Sequence, residues 1–587
     1  MQKIVKEYDV VIVGGGISGV CGAIASARHG AKTALIQNRP VLGGNASSEI
    51  RMHISGADNQ ETRPDARETG ILEEILLETR KLNPENSFSA LDTVLWEKTR
   101  FQEGLDLFLN THMTEVSVSD NIIIKVKAIQ LTTEKTFEFH GDIFIDATGD
   151  GTLAALAGAE YMKGREGKKV FGEQYAPDEC DDIVMGSTLL FSAVDTGKPV
   201  DFEKPAWANT YKEEDLAFRD HSEITSGYWW IELGGDGLDI VEDGEEIRDE
   251  LLKAVYGVWD HIKNGGQHNA QNYVLDWVGF LPGKRESRRI TGDYILKEQD
   301  CLEGRIFDDA VAYGGWPMDM HVPGGLRTRL EPTEYIQLKD LYTIPYRSLY
   351  SKNIDNLMIG GRAISVSHMA FGSTRVMGTC AVIGQAEGTA AAMAIERGIK
   401  PRQILGHIKE LQQRLLRDDC YIPGFKNEDD GDLARAAQVT ASSNLLGHDC
   451  SNVVNGIARK VGENSNCWVS ESLLDNSQWI CLDLGNKKQV SEVNIKFDSN
   501  LSKRISVTLS QKFFSDQVPG IPPELVKDYD IVFLDEENPV HTEHIKGNYL
   551  RFRAHRLSKP IVCDRIKLIV HSTNGDKYAR VFEIRVY

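Results

Sequence analysis

Asp319 and His321 lie two residues apart on a stretch that reads as extended chain, so their side chains share one side of the backbone, just after the flexible pair Gly314 and Gly315. A histidine beside a carboxylate can take the proton of an alcohol while hydride leaves the neighbouring carbon, which makes this spacing a candidate acid/base pair; a hydrogen-bonded structural pair is the alternative. Further on, His368 follows Ser367 and precedes Arg375 by seven residues. His368 can serve as base or acid, and Arg375 can steady developing negative charge or hold its loop through a salt bridge. Arg51 and His53 form a third candidate set near the start of the chain. Arg285, Glu286, Arg288 and Arg289 make a dense charged cluster that either binds an anionic substrate or closes a buried ion-pair network.

A hydride needs an acceptor, and the first fifty residues carry the pattern of a place for one. Asp9, Val10, Val11, Ile12 and Val13 form an apolar run of the kind buried in a parallel sheet; Gly14, Gly15, Gly16, Ile17, Ser18 and Gly19 follow, and 20–29 reads as helix. Gly14 permits the tight turn, Gly16 lets backbone approach a pyrophosphate, and Gly19 allows close helix-to-strand packing. The helix N-terminus adds amide donors and the positive end of a dipole. A second strand, 32–36, should end in an acidic residue for the adenosine ribose, but Gln37 stands there. A glutamine can still bond a ribose hydroxyl; its presence weakens the plain NAD reading and leaves room for FAD.

Three further pieces extend the pattern. Arg39 leads into Gly43, Gly44, Asn45, Ala46, Ser47 and Ser48, where paired glycines let a loop run against a cofactor. A buried strand from 143 ends in Ala147, Thr148 and Gly149, suited to backbone contact at the carboxyl end of a parallel sheet. Another strand, 356–359, turns through Gly360, Gly361 and Arg362, and Gly372, Ser373 and Thr374 open a helix rich in Ala and Gly that runs to 395. Such a helix, with its N-terminus at the pyrimidine edge of a flavin, would stabilise the reduced anion.

Together these pieces resemble the FAD-dependent oxidoreductase family, which shares the glutathione-reductase-like nucleotide fold with fumarate reductases and thiazole-forming enzymes. The resemblance spans roughly 8–400 and includes Ser48-Glu49-Ile50-Arg51-Met52-His53, Lys284-Arg285-Glu286-Ser287-Arg288-Arg289-Ile290 and Ile344-Pro345-Tyr346-Arg347-Ser348-Leu349. It implies non-covalent FAD, since no histidine or cysteine is assignable to a covalent link. It also implies cofactor contacts from Gly14, Gly16, Ile17, Ser18, Gly19, Gln37, Asn38, Arg39, Gly43, Gly44, Asn45, Ala46, Ser47, Met113, Ala147, Thr148, Gly149, Gly361, Arg362, Gly372, Ser373 and Thr374. Chemistry is expected from His368, His321, Asp319, Arg375, His53 and Arg51.

At 587 residues the chain is too long for one core. A net charge of −21 without a basic block repels a phosphate backbone and makes nucleic acid an unexpected partner. No apolar run reaches the roughly 20 residues of a membrane helix. Nine scattered cysteines with no C-x-x-C pair suggest reduced thiols, neither a zinc site nor a redox dithiol, and a cytoplasmic location; a removed signal peptide would make it periplasmic or exported. Oligomeric state is open.

The expected organisation is an FAD-binding domain in two parts, 1–165 and 340–417, around a substrate or cap domain at 166–339, then a linker at 418–432 and a β-sandwich at 433–587. In the cap, Tyr228, Trp229 and Trp230 read as core or, more sharply, as a sugar-stacking wall. From 436 onward short alternating strands argue for a sandwich or jelly roll. Asn466-Cys467-Trp468-Val469, Gln478-Trp479-Ile480 and the closing Val581-Phe582-Glu583-Ile584 resemble the discoidin or coagulation-factor type C family, a galactose-binding-like fold often attached to carbohydrate enzymes, with Trp468 and Trp479 expected in its core. The fold class is thus a Rossmann-type α/β FAD-binding fold with an inserted α+β cap, followed by an all-β sandwich. The expected function is hydride transfer from a small polar substrate, a saccharide or polyol alcohol, to flavin N5. An isomerase or eliminase that uses flavin without net redox, and a glycan-binding accessory protein, are the alternatives.

Overall fold

The run that ends at Val13 becomes strand β1 (Lys3–Val13) of a computed structural model that describes residues 3–265, 268–474 and 476–587. Val10, Val11 and Ile12 are fully buried, as an apolar strand covered on both faces must be. β1 pairs in parallel with β2 (Thr33–Ile36) on one side and β6 (Lys135–Asp146) on the other. Beyond β2 lies β3 (Leu105–Phe108); β4 (Thr111–Ser119) and β5 (Ile122–Gln130) continue antiparallel from β6, giving the order β3-β2-β1-β6-β5-β4. The last three residues of β6 also pair in parallel with a late strand, β7 (Leu357–Ile359). Two segments far apart in sequence are thereby brought to one carboxyl edge of the sheet, where ligands of open α/β sheets bind.

Helix α1 (Ile17–Arg28) is buried from Ile17 to Ala27, and it lies against a late helix. That helix, Met377–Arg397, is built largely of Ala and Gly because the backbones nearly touch: a Cβ on Gly384 would fall 2.1 Å from the Ser18 carbonyl, and one on Gly388 2.0 Å from that of Gly22. No larger residue fits at the crossing.

The cap is held by α2 (Gly244–Asn264), whose Ile247, Leu251, Val255, Val258 and Ile262 recur at helical spacing and pack with Phe191, Leu216, Tyr228 and Trp230. Each such side chain contributes about 1.5–3 kcal/mol of burial. Tyr228 and Trp230 stack at 4.8 Å inside this core, which is the packing reading of that aromatic run. Trp229 is only partly buried, and its ring lies nearly perpendicular to that of His321 with centroids 5.5 Å apart.

Two compact units emerge: residues 1–59, 86–408 and 506–516 form one, and 60–85, 409–505 and 517–587 the other. Two segments therefore group apart from their chain neighbours. The first, 60–85, carries the helix Ile71–Leu82; the second is 506–516. The stretch 418–432, expected as a linker, packs within the second unit, where buried Asp419 pairs with Arg551 at 3.0 Å and Asp432 accepts the Val586 N–H. That unit is an all-antiparallel β-sandwich of seven strands, including two long ones, Gln478–Phe497 and Phe552–Thr573, that pair with each other along most of their length. Trp468 is fully buried in it, as expected. Trp479 is not in the core: it is half-exposed with the Lys567 ammonium 4.1 Å from its ring centroid, because strand alternation turns it to the outer face between buried Gln478 and Ile480.

Candidate active site

Gly14 has φ +108°, and a Cβ there would fall 2.2 Å from the Ala147 carbonyl; one on Gly19 would fall 1.9 Å from the carbonyl of Gly14. Both positions are glycine because backbone occupies the space. Gly16 differs. No atom lies within 4 Å of where its Cβ would be, so the missing side chain leaves open space at the N-terminus of α1. The second glycine turn comes alongside, with the Gly43 N–H donating to the Gly15 carbonyl at 2.8 Å. Gln37 braces both turns: its Oε1 accepts the Gly15 N–H at 2.9 Å and its Nε2 donates to the Val41 carbonyl at 3.1 Å. Ser18 Oγ is buried and has no hydrogen-bond partner among the described residues. An open cradle, a helix N-terminus and an orphaned hydroxyl fit a bound dinucleotide.

At the end of β6, buried Asp146 accepts the Thr148 N–H and hydroxyl at 2.9 and 2.7 Å and the Ala154 N–H at 2.8 Å, fixing the turn through Ala147 to Gly149. Burial raises its carboxyl above the ordinary range. Asp150 behaves oppositely. Burial would raise it too, but Arg362 at 2.8 Å and Lys284 at 2.9 Å outweigh that and hold it at about 2.

A cavity of about 510 Å³ lies in the same unit, and both candidate histidines line it, with Met185, Met320 and Met369. His321 ends the strand Met318–His321, which pairs with Thr333–Ile336. Its Nδ1 stands 2.5 Å from Glu232 Oε2 and its Nε2 3.4 Å from Asp319 Oδ2. The expected side-by-side placement of Asp319 and His321 is therefore present. Burial alone would raise Glu232, yet Arg285 and His321 bring it down to about 2; its Oε1 also accepts the Gly186 N–H at 2.7 Å. Asp319 is likewise pushed up by burial and, more strongly, down by His321 and by Arg375 at 2.8 Å, ending below the usual carboxylate range.

His368 is oriented independently, at the start of the helix His368–Thr374. Its Nδ1 is 3.0 Å from Glu286 Oε1 and its backbone N–H donates to Glu166 Oε2 at 2.8 Å. Glu286 is completely buried, accepts the Met185 N–H, and pairs with Arg289, which also meets Glu166 at 2.5 Å. Burial opposes the charge on Glu286, but His368 and Arg289 keep its carboxyl below the ordinary range. Two histidines, each seated on a buried carboxylate, thus face one cavity; a base fixed by an orienting carboxylate is the arrangement that proton-transfer catalysis uses.

A model of the FAD dependent oxidoreductase family matches residues 9–415 of the chain. The chain belongs to that family. It is an FAD-dependent oxidoreductase, and a flavin is its cofactor. Solved structures similar over 27% of this chain include the lectin domain of lectinolysin complexed with Lewis b antigen (17% identity, 97% of that chain, TM-score 0.21). They also include a Streptococcus pneumoniae fucose binding module (16%, 96%, 0.20) and the family 32 carbohydrate-binding module of Streptococcus pneumoniae EndoD (18% identity, 98% of that chain, TM-score 0.21).

For this flavoenzyme the remaining expected contacts sort by position. Gly14 to Gly19, Gln37, Gly43, Gly44, Ala147 and Thr148 gather at the cradle. Arg39 is taken by Glu49 at 2.6 Å, and Asn38 is exposed beside it. Asn45 donates to the Lys284 carbonyl, Ala46 and Ser47 are buried in the turn, and Ile17 is buried in α1. The side chain of Met113 packs in the apolar core with Ile36 and Phe139. Gly149 lies under the Arg362 guanidinium, and Gly361 follows β7 at φ +70°. Gly372 abuts Met320 and Asp319, Ser373 bonds Tyr342 and the Trp316 carbonyl, and Thr374 Oγ1 is buried without a hydrogen-bond partner among the described residues. Gly372, Ser373 and Thr374, expected to open the Ala-rich helix, instead end the separate helix His368–Thr374; extended backbone at Val376 breaks the run, and Met377–Arg397 starts after it with the Gly378 N–H donating to the Ser55 carbonyl.

Arg51 and His53 stand apart from the histidine cavity. The Arg51 guanidinium lies 4.1 Å from the Trp277 ring centroid, with burial lowering its pKa, and His53 sets its ring 5.7 Å from Phe513. Asp319 and Glu286, which contact the two histidines, are among the sequence candidates; Glu232 and Glu166 are the residues that sequence reasoning missed. Glu232 is 89 positions from His321 and Glu166 is 202 from His368. No local pattern connects them; only the proximity of Glu286 to Arg289 is visible in the sequence.

Proposed function

We propose that this flavoenzyme oxidises an alcohol carbon of a small polar substrate, a saccharide or polyol, in the cavity that His321 and His368 share, and that its FAD is held without a covalent bond. The observation that carries the reading is that pair of carboxylate-seated histidines on a cavity of about 510 Å³, a volume suited to a small ligand. FAD, when bound, supplies the acceptor for two electrons. The open space beside Gly16, at the N-terminus of α1, would hold its pyrophosphate.

His368 is the base. Its Nδ1 is engaged by Glu286, so Nε2 is left to take the hydroxyl proton of the substrate. His321 has a carboxylate at each ring nitrogen and is instead held in the cavity wall by Glu232 and Asp319. The saccharide class rests on the sequence resemblance of the C-terminal module.

The test is anaerobic addition of a panel of sugars and polyols to the FAD-loaded protein, followed at the oxidised flavin band. Bleaching by a member of the panel is expected. Product accumulation without bleaching favours an isomerase or eliminase, and neither bleaching nor product removes the proposal. Acid precipitation should leave the yellow colour in the supernatant; colour in the pellet contradicts the non-covalent link.

A further inference from the structure

Outside the catalytic cavity, the cap gathers Glu213, His221, His261 and His268 so that one ligand atom from each lies within 4.8 Å of every other. The three histidines all turn Nε2 inward. His261 Nε2 is 3.2 Å from His268 Nε2 and 3.1 Å from Glu213 Oε2; His221 Nε2 is 3.7 Å and His268 Nε2 3.9 Å from the same carboxylate group. A tetrahedral zinc ion with bonds of about 2.0–2.1 Å has donor-to-donor edges of about 3.3 Å. The cluster is close to that size before any ion draws it in.

Two features separate this group from a chance meeting of polar side chains. The imidazoles are largely withdrawn from water, at 8%, 8% and 13% exposure, although histidine is readily solvated. His221 also has its other nitrogen, Nδ1, 2.5 Å from the Arg219 carbonyl, the outer contact that fixes the tautomer and leaves the Nε2 lone pair for a metal. Four protein donors with no thiolate suit a borderline divalent ion, zinc above all, and four donors close the sphere as structural sites do.

We propose that these four residues form a structural zinc site that fastens the strap 213–223 to the end of α2. The expectation of no zinc site rested on cysteine spacing; the ligands here are three histidines and a glutamate at 213, 221, 261 and 268, too scattered to form a sequence motif. The strap leads directly to Tyr228 and Trp230, whose hydroxyl and indole N–H donate to the carbonyls of His221 and Asp220, and on to Glu232, which seats His321. The site would thus hold the wall of the cavity without touching it.

The experiment uses the full chain, untagged and FAD-loaded, purified without chelator. Elemental analysis should find about one zinc per chain. After stripping by a chelator, Tm should fall and return on adding zinc alone, and cobalt should give an absorption band beyond the flavin bands. His261→Ala with His268→Ala should lose metal uptake. If that variant fails to fold, the stripped wild type decides: saturable uptake of one ion with a rise in Tm supports the site, and no uptake with an unchanged Tm overturns it.

Discussion

Glu387 sits in the middle of the Met377–Arg397 helix, fully buried, and neither of its carboxyl oxygens has a hydrogen-bond partner among the described residues. Burial, and secondarily the nearby Asp146, raises its pKa well above the ordinary value of 4.5. In the unfolded chain the same group ionises near 4.5. The native state then binds more protons than the unfolded one above that pH, and stability falls as pH rises until the folded pKa is passed. Glu387→Gln removes the titration while keeping the shape. Each pH unit inside that window is worth about 1.4 kcal/mol, so the wild type should lose up to about that much per unit relative to the variant as pH rises above 4.5. Urea unfolding with FAD in fixed excess, followed by release of flavin fluorescence, measures this. A constant offset between the proteins, from the new amide, does not matter because the slope is the readout. Parallel stability curves for the wild type and the Glu387→Gln variant across that range would refute the reasoning.

Gly16 has extended backbone, φ −65° and ψ 176°, and open space where a side chain would go, so Gly16→Val should fold and remain soluble but bind no FAD, whereas Gly19→Ala, with its Cβ 1.9 Å from a carbonyl, should not accumulate as folded protein. Equal flavin content in Gly16→Val and wild type contradicts this. His368→Ala should slow anaerobic flavin reduction by about 10²-fold or more with flavin content unchanged, and an unaltered rate would move the base elsewhere. In the second unit, Glu583 is 2.7 Å from Lys496 and 2.9 Å from Arg585, all about 2% exposed or less, so Glu583→Ala should cost about 3–5 kcal/mol by leaving buried cations unpaired. A loss below about 1 kcal/mol in urea unfolding, the size of an exposed pair, would show that water reaches the site.

The nucleotide half is legible in the sequence because its requirements are local. A strand, a turn whose glycines are dictated by the carbonyls of Ala147 and Gly14, and a small-residue helix follow one another directly, and β7 can be joined to them because apolar strands near glycines repeat the same signal. Gln37 is legible as an exception but not as a brace for two turns, since its partners Gly15 and Val41 are defined only by the folded loop. Trp479 departs from expectation because a tryptophan in an alternating strand falls on either face, and the phase is set by which neighbours the sheet covers. The histidine–glutamate cluster of the cap and the contacts of Glu232 and Glu166 with the candidate histidines are hidden for one reason. Their members meet across separations such as the 48 residues between Glu213 and His261 and the 202 between Glu166 and His368, and single-residue chemistry carries no distance information.

The charged cluster at 285–289 offers two readings, an anion-binding site or a buried network, and the geometry separates them. Arg285 gives its guanidinium to Thr188, to the Gly186 and Trp229 carbonyls and to Glu232. Arg289 is spent on Glu286, Glu166 and the Val366 and Gly164 carbonyls, Arg288 donates to the Asp150 carbonyl, and Arg165, on the cavity wall, is paired bidentately with Asp181. An anionic substrate would have to displace one of these pairs and leave a carboxylate such as Glu286 buried and uncompensated, which costs several kcal/mol. A neutral substrate that offers hydroxyls asks for no such exchange, since it can bond to groups already in place. That asymmetry supports the proposed uncharged polyol or saccharide over a carboxylate or phosphate.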